Sequence, residues 1–127
     1  MARVKICGLT NQADLQAAVE AGTDAIGVIS SVDVATSREV DRGTAAELIA
    51  AVPPFVTATL VSMPDDAEHA VELVKAIRPD ALQLHGNFDA DDLGYIRAET
   101  GVKVIAAVDH EETDRASALD GVADALL

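Results

Sequence analysis

Residues 81–86 read A-L-Q-L-H-G, and the alternation inside that stretch separates two possible folds. Successive side chains of a strand point to opposite faces. Leu82 and Leu84 therefore share one face, while Ala81, Gln83 and His85 share the other. V-K-I-C at residues 4–7 repeats the pattern, with Val4 and Ile6 opposed to Lys5 and Cys7. A doubly wound sheet is covered by helices on both faces, so its central strands should be apolar throughout. A barrel is covered only on its outer face and can carry polar residues at the top of its interior. The alternation favours a barrel.

Outward from there, strand-like segments begin near Val4, Ala25, Phe55, Ala81, Val102 and Ala123, separated by 21, 30, 26, 21 and 21 residues. Between them the apolar spacing is helical. Leu15, Ala18 and Val19 share a face, as do Ala70, Leu73, Val74 and Ile77. Asn11 with Asp14 resembles a capping box, Gly22 ends the first helix, Pro79 follows the third and Gly101 closes the fourth. The second, fourth and sixth strands are introduced by T-D-A-I, P-D-A-L and A-D-A-L. Such recurrence points to repeated βα modules around a parallel sheet, and each interval is long enough for a crossover.

The expected fold is thus α/β, a TIM (β/α)8 barrel. At roughly 25 residues per unit, eight units need about 200 residues. Residues 1–127 hold five units and the start of a sixth strand, so the expectation is one domain, an incomplete barrel without its C-terminal strands and helices. No Pro/Gly/Ser-rich linker or low-complexity segment divides it.

Composition narrows the function. Twenty-two acidic residues oppose nine basic ones, a formal charge of −13, and only Lys5, Lys75 and Lys103 are lysines. Such a surface repels phosphate backbones and anionic membranes, so neither nucleic acid nor membrane is an expected partner. Scattered acids with few lysines and many alanines suggest a protein working in high salt, where self-repulsion is screened. One cysteine forms no internal disulfide, which fits a reducing cytoplasm. The three histidines and the cysteine have no metal-ligand spacing, and no nucleotide-binding glycine pattern occurs, so neither metal nor cofactor is expected.

The one thiol sits where the first strand ends, before Gly8. A lone cysteine is commonly an inert small hydrophobe. K-I-C-G-L-T at residues 5–10, however, resembles the opening signature of the phosphoribosylanthranilate isomerases of tryptophan biosynthesis. A-G-T-D-A-I-G-V at 21–28 resembles that family's second strand, P-P-F-V at 53–56 the entry to its third, and L-Q-L-H-G at 82–86 its fourth. The resemblance implies an Amadori rearrangement of N-(5-phosphoribosyl)anthranilate to the 1-amino-ketose, with a small phosphosugar as substrate. The sugar ring opens by protonation, and a proton then leaves the second carbon, which requires one general acid and one general base.

By that resemblance Cys7 is the general base. The general acid is an aspartate at the end of the sixth strand, expected just beyond Leu127, and the phosphate-binding loops follow the seventh and eighth strands. The 127 residues alone are therefore expected to be inactive. Arg38, in T-S-R-E-V-D, matches the arginine that grips the anthranilate carboxylate; the alternative is a loop arginine paired with Glu39 or Asp41. Gln83 and His85 are expected to contact substrate. Lys5, on the face of Cys7, could assist the thiolate or pair with a carboxylate lower in the barrel. Asp109 lies on the catalytic side but reads as a loop acid, whereas Asp120 and Asp124 fall at the opposite end.

Three other readings stay open. A flavodoxin-like receiver domain would fit the length, although its acidic pair, acceptor aspartate and lysine are not at the strand ends. Another phosphosugar-handling barrel enzyme would keep the fold. A partial barrel associating through its unpaired edges, or as a homo-oligomer, is the third.

Overall fold

The apolar alternation becomes six short strands and five helices in a computed structural model that describes residues 1–127. The strands are β1 (Lys5–Cys7), β2 (Ala25–Ile29), β3 (Thr57–Ser62), β4 (Ala81–Leu84), β5 (Lys103–Ala106) and β6 (Ala125–Leu126). The helices between them are α1 (Gln12–Glu20), α2 (Arg42–Ala50), α3 (Ala67–Ile77), α4 (Ala90–Thr100) and α5 (Thr113–Leu119). All neighbouring strands are parallel, and their order is β1-β2-β3-β4-β5-β6. A receiver-type doubly wound sheet must reverse direction at a switch point. This sheet never does, which removes that alternative. It is the sequential order of a barrel wall, with β1 and β6 at its two edges. No helix is long and apolar enough to cross a membrane.

One face of β2, β3, β4 and β5 builds the core. Ile26, Val28, Leu60, Leu82, Leu84 and Val104 meet Leu15, Leu48, Leu73, Leu93, Ile96 and Leu119 of the helices, and none is more than 3% exposed. Buried leucines and β-branched residues on one strand face, facing leucines at helical spacing, give the helix-on-sheet layer its hydrophobic stabilisation. The opposite face carries Lys5, Cys7, Gly27, Thr59 and Gln83, related by register and parity.

The recurring aspartates have a common structural task. Asp24, Asp80 and Asp124 each precede an even-numbered strand. Their carboxylates accept from the backbone N–H of Val4 (2.7 Å), Ala58 (2.8 Å) and Val104 (2.8 Å). Their own N–H groups donate to the carbonyls of those same three residues. Each aspartate thus clamps the start of an even strand to its odd-numbered neighbour. Asp124 in addition meets Arg97 at 3.2 Å.

Helix ends follow the expected chemistry with one correction. Asn11 Oδ1 accepts from Asp14 N–H (2.8 Å), but the Asp14 carboxylate accepts from the Asn11 side chain and not from its backbone. The expected box is therefore only half made. A reciprocal box forms instead at Asp89 and Asp92 of α4. Gly101 ends α4 in the left-handed conformation, as expected, while at the end of α3 that conformation falls to Arg78, just before Pro79.

The sheet is strongly curved. The Lys5 ammonium donates to the Gln83 side-chain oxygen, from β1 to β4. On a flat sheet those residues would be separated by about 14 Å across three strand intervals and about 13 Å along the strands. Two side chains cannot bridge that distance. Only a wall bent around the Lys5–Gln83 side brings them together, so the polar face is the concave one.

Candidate active site

The site begins at the carboxyl end of β1. Cys7 is exposed on the concave face and pairs in register with Gly27 of β2. A Cβ placed on Gly27 would lie 2.7 Å from the Cys7 Sγ. The thiol therefore occupies the space that any other residue at position 27 would fill. A glycine inside A-I-G-V-I is the sequence sign of such a close approach, and it was the site residue that sequence reasoning passed over. Immediately after the cysteine, Gly8 turns the chain with φ +81°, and the Gly8 and Leu9 N–H groups both donate to the Gly27 carbonyl.

Arg38 arrives from the β2–α2 loop. That loop is tied back at both ends. Ser30 Oγ donates to the Val40 carbonyl (2.8 Å), Val40 N–H donates to the Ile29 carbonyl (2.9 Å), and Glu39 bridges to Ile29. The closure turns Arg38 over β1, where its Nη1 donates to the Gly8 carbonyl at 3.3 Å. Its side-chain carbons lie over Gly8, so close that a Cβ there would meet Cδ at 3.3 Å. Neither suspected partner holds it. Glu39 accepts from Val32 N–H, and Asp41 caps α2 by accepting from Thr44 N–H. Arg38 makes no carboxylate pair, and its guanidinium lies over Gly8, the residue that follows Cys7.

Gln83 and His85 are brought together at the end of β4. Gln83 is buried, accepts from Lys5 through Oε1, and places Nε2 3.1 Å from His85 Nε2. Burial and, second, the Lys5 ammonium hold the His85 imidazole below its ordinary value of 6.5. Lys5 pairs with no carboxylate, against one of the two expectations formed for it; its ammonium donates to Gln83 on β4. A polar partner three strands away has no local signature in the sequence. Arg115 of α5 also escaped notice: it donates to the carbonyls of Gly86 (2.6 Å) and Phe88 (3.2 Å), fixing the loop that follows His85.

Two cavities open at this end of the sheet. One of about 240 Å³ is lined mainly by Ile29, Val32, Val34, Val61 and Met63, with His85 at its side. The other, of about 440 Å³, is bounded by His85 and by Asp33, Asp65, Asp66 and Asp92. No group of three or more His, Cys, Asp or Glu side chains could hold a metal ion. The acids singled out from the sequence are occupied elsewhere. Asp109 lies in a turn with Glu111, Glu112 and His110, and Asp124 lies in its clamp at the opposite end.

The family model described as N-(5'phosphoribosyl)anthranilate (PRA) isomerase matches residues 4–127. N-(5'-phosphoribosyl)anthranilate isomerase of Halorubrum lacusprofundi is 64% identical over 127 residues, all of this chain and 59% of the relative. The protein of the same name from Haloferax volcanii is 53% identical over 127 residues, again all of this chain and 57% of the relative. The chain thus spans less than two thirds of the relatives it matches. Among solved structures, a phosphoribosyl anthranilate isomerase in complex with reduced 1-(o-carboxyphenylamino)-1-deoxyribulose 5-phosphate superposes with a TM-score of 0.78. It is 31% identical, over 91% of this chain and 59% of that one.

Proposed function

From the premise that this chain belongs to the N-(5'-phosphoribosyl)anthranilate isomerase family, we propose that the complete protein catalyses the Amadori rearrangement of N-(5'-phosphoribosyl)anthranilate in the cytoplasm. The observation that carries the reading is Arg38 over Gly8, the residue after Cys7: an exposed thiol followed in the chain by the glycine that a carboxylate-free guanidinium covers. A planar guanidinium suits the aryl carboxylate of the substrate. The small apolar cavity between Ile29, Val34 and Met63 is of the size for its aromatic ring.

In this reading Arg38 anchors the carboxylate, and the sugar lies across the mouth towards His85, with Gln83 buried behind it. Once the furanose has opened to the iminium form, the Cys7 thiolate takes the proton from the second carbon. The electron pair of that C–H bond moves into the new C–C double bond and neutralises the iminium nitrogen. The resulting enolamine tautomerises to the ketose. Ring opening needs an acid to protonate the ring oxygen. The family resemblance assigns that role to an aspartate following β6 in the complete protein. The remaining length found in the relatives would also close the wall between β6 and β1 and bind the phosphate. The 127 residues alone would then be inactive.

The test is turnover of N-(5'-phosphoribosyl)anthranilate by the complete protein and its Cys7→Ala variant. The variant should lose at least about a hundredfold in rate, the lower range for a positioned base, while still binding a product analogue. A Cys7→Ala variant working at near wild-type rate would overturn the assignment.

A further inference from the structure

Lys5, Gln83 and His85 form a chain of contacts whose chemistry allows only one arrangement of protons. A lysine ammonium has three donors and no acceptor. The Gln83 atom it meets must therefore be the amide oxygen, which turns the amide NH2 towards His85. An NH2 group only donates, so the His85 Nε2 at 3.1 Å has to accept. The ring proton is then on Nδ1. An imidazolium would set an N–H at Nε2 against the amide NH2, two donors face to face, and Gln83 could turn to relieve this only by abandoning Lys5.

We infer that Lys5 is a positioning residue: by holding the oxygen of Gln83 it fixes the amide so that His85 is kept neutral with its proton on Nδ1, leaving that N–H as the ring's donor to the substrate. This rests on the isomerase reading for its purpose. In a site whose cysteine must act as a thiolate, a neutral imidazole donates a hydrogen bond without acting as a strong acid that would quench the base. The other charged groups around His85 press the opposite way. Asp33 from the β2–α2 loop, Asp65 and Asp66 before α3, and Asp92 on α4 line the same cavity and would favour an imidazolium. Burial and the ammonium of Lys5 outweigh them.

The complete protein, labelled with 15N-histidine, tests this by NMR, with His85 identified through substitution of His69 and His110. At a pH where the ring is neutral, Nδ1 should carry the proton and Nε2 should be bare. Lys5→Met frees the amide. The neutral ring should then shift towards the Nε2–H form, and its proton affinity should rise roughly tenfold, about one pH unit. Loss of charge alone would alter the affinity and leave the tautomer unchanged. Gln83→Glu, close in size, should protonate Nε2 by offering it an acceptor. A wild-type ring protonated at Nε2, or a tautomer indifferent to both substitutions, overturns the inference even if turnover is normal. Absent turnover with the stated tautomer would instead defeat the isomerase reading and leave the relay standing.

Discussion

At Cys7 the decisive neighbour is a side chain that is not there. The thiol lies where a Cβ of residue 27 would be, 2.7 Å from Sγ. Gly27→Ala should therefore push the thiol from its place. The expected result is a stability loss of about 1–3 kcal/mol, the range for overpacking, together with a larger fall in isomerase rate than in substrate affinity. Denaturant unfolding and steady-state kinetics separate the two effects. Arg38 makes the opposite case, since its own side chain carries the recognition. Arg38→Lys keeps the charge but loses the planar fork. The KM of the complete protein should rise about tenfold or more while kcat changes less, because the lost contact exists in both ground and transition states.

At the scale of elements, the most regular device is the aspartate clamp. It recurs at β2, β4 and β6, each time joining an even strand to the odd strand before it. Parallel strands are joined only through long crossovers, so nothing local holds the start of each pair in register. The carboxylate supplies an acceptor for a backbone N–H at the end of the sheet where the ladder has not yet begun. Asp80→Ala should cost about 1 kcal/mol, near the ordinary net value of a hydrogen bond because the carboxylate is exposed. Asp80→Asn, which keeps an acceptor, should cost less. Urea midpoints of the two variants check this. The same element logic operates at the other end, where Arg115 of α5 pins the loop after His85 across β4 and β5. One end of the sheet is stapled for register, and the other is shaped for the site.

Across the whole molecule, the order of the strands and the bend of the sheet are what gather the site. Cys7, Arg38 and His85 come from the first, second and fourth βα segments, and only a curved wall directs all three to one mouth. The edges at β1 and β6 leave Val4, Ile6 and Leu126 exposed. The surface charge of −13 acts at this scale too. Like charges spread over the surface repel, and salt at molar strength screens them to within about 3 Å. The thermal midpoint of the complete protein should therefore rise by several degrees from dilute buffer to about 2 M salt, as expected of a family member whose relatives are haloarchaeal. A midpoint insensitive to salt would remove the high-salt reading of the composition.

Sequence by itself determined the periodicities: which face of each strand is apolar, where helices start and stop, and that the units repeat. Those properties are local, set by side-chain alternation, caps and turns, so they are legible one segment at a time. The motif K-I-C-G with Q-L-H-G also carried the cysteine, the glutamine and the histidine as candidates. What only the tertiary structure decided is who meets whom. Sequential strand order excluded the receiver alternative, and curvature joined Lys5 to Gln83 over three strands. Loop closure set Arg38 over Gly8 in place of Glu39 or Asp41, and register placed Gly27 against the thiol. Each of these depends on separations that no local pattern encodes, because they arise when the whole sheet bends and its strands take their neighbours.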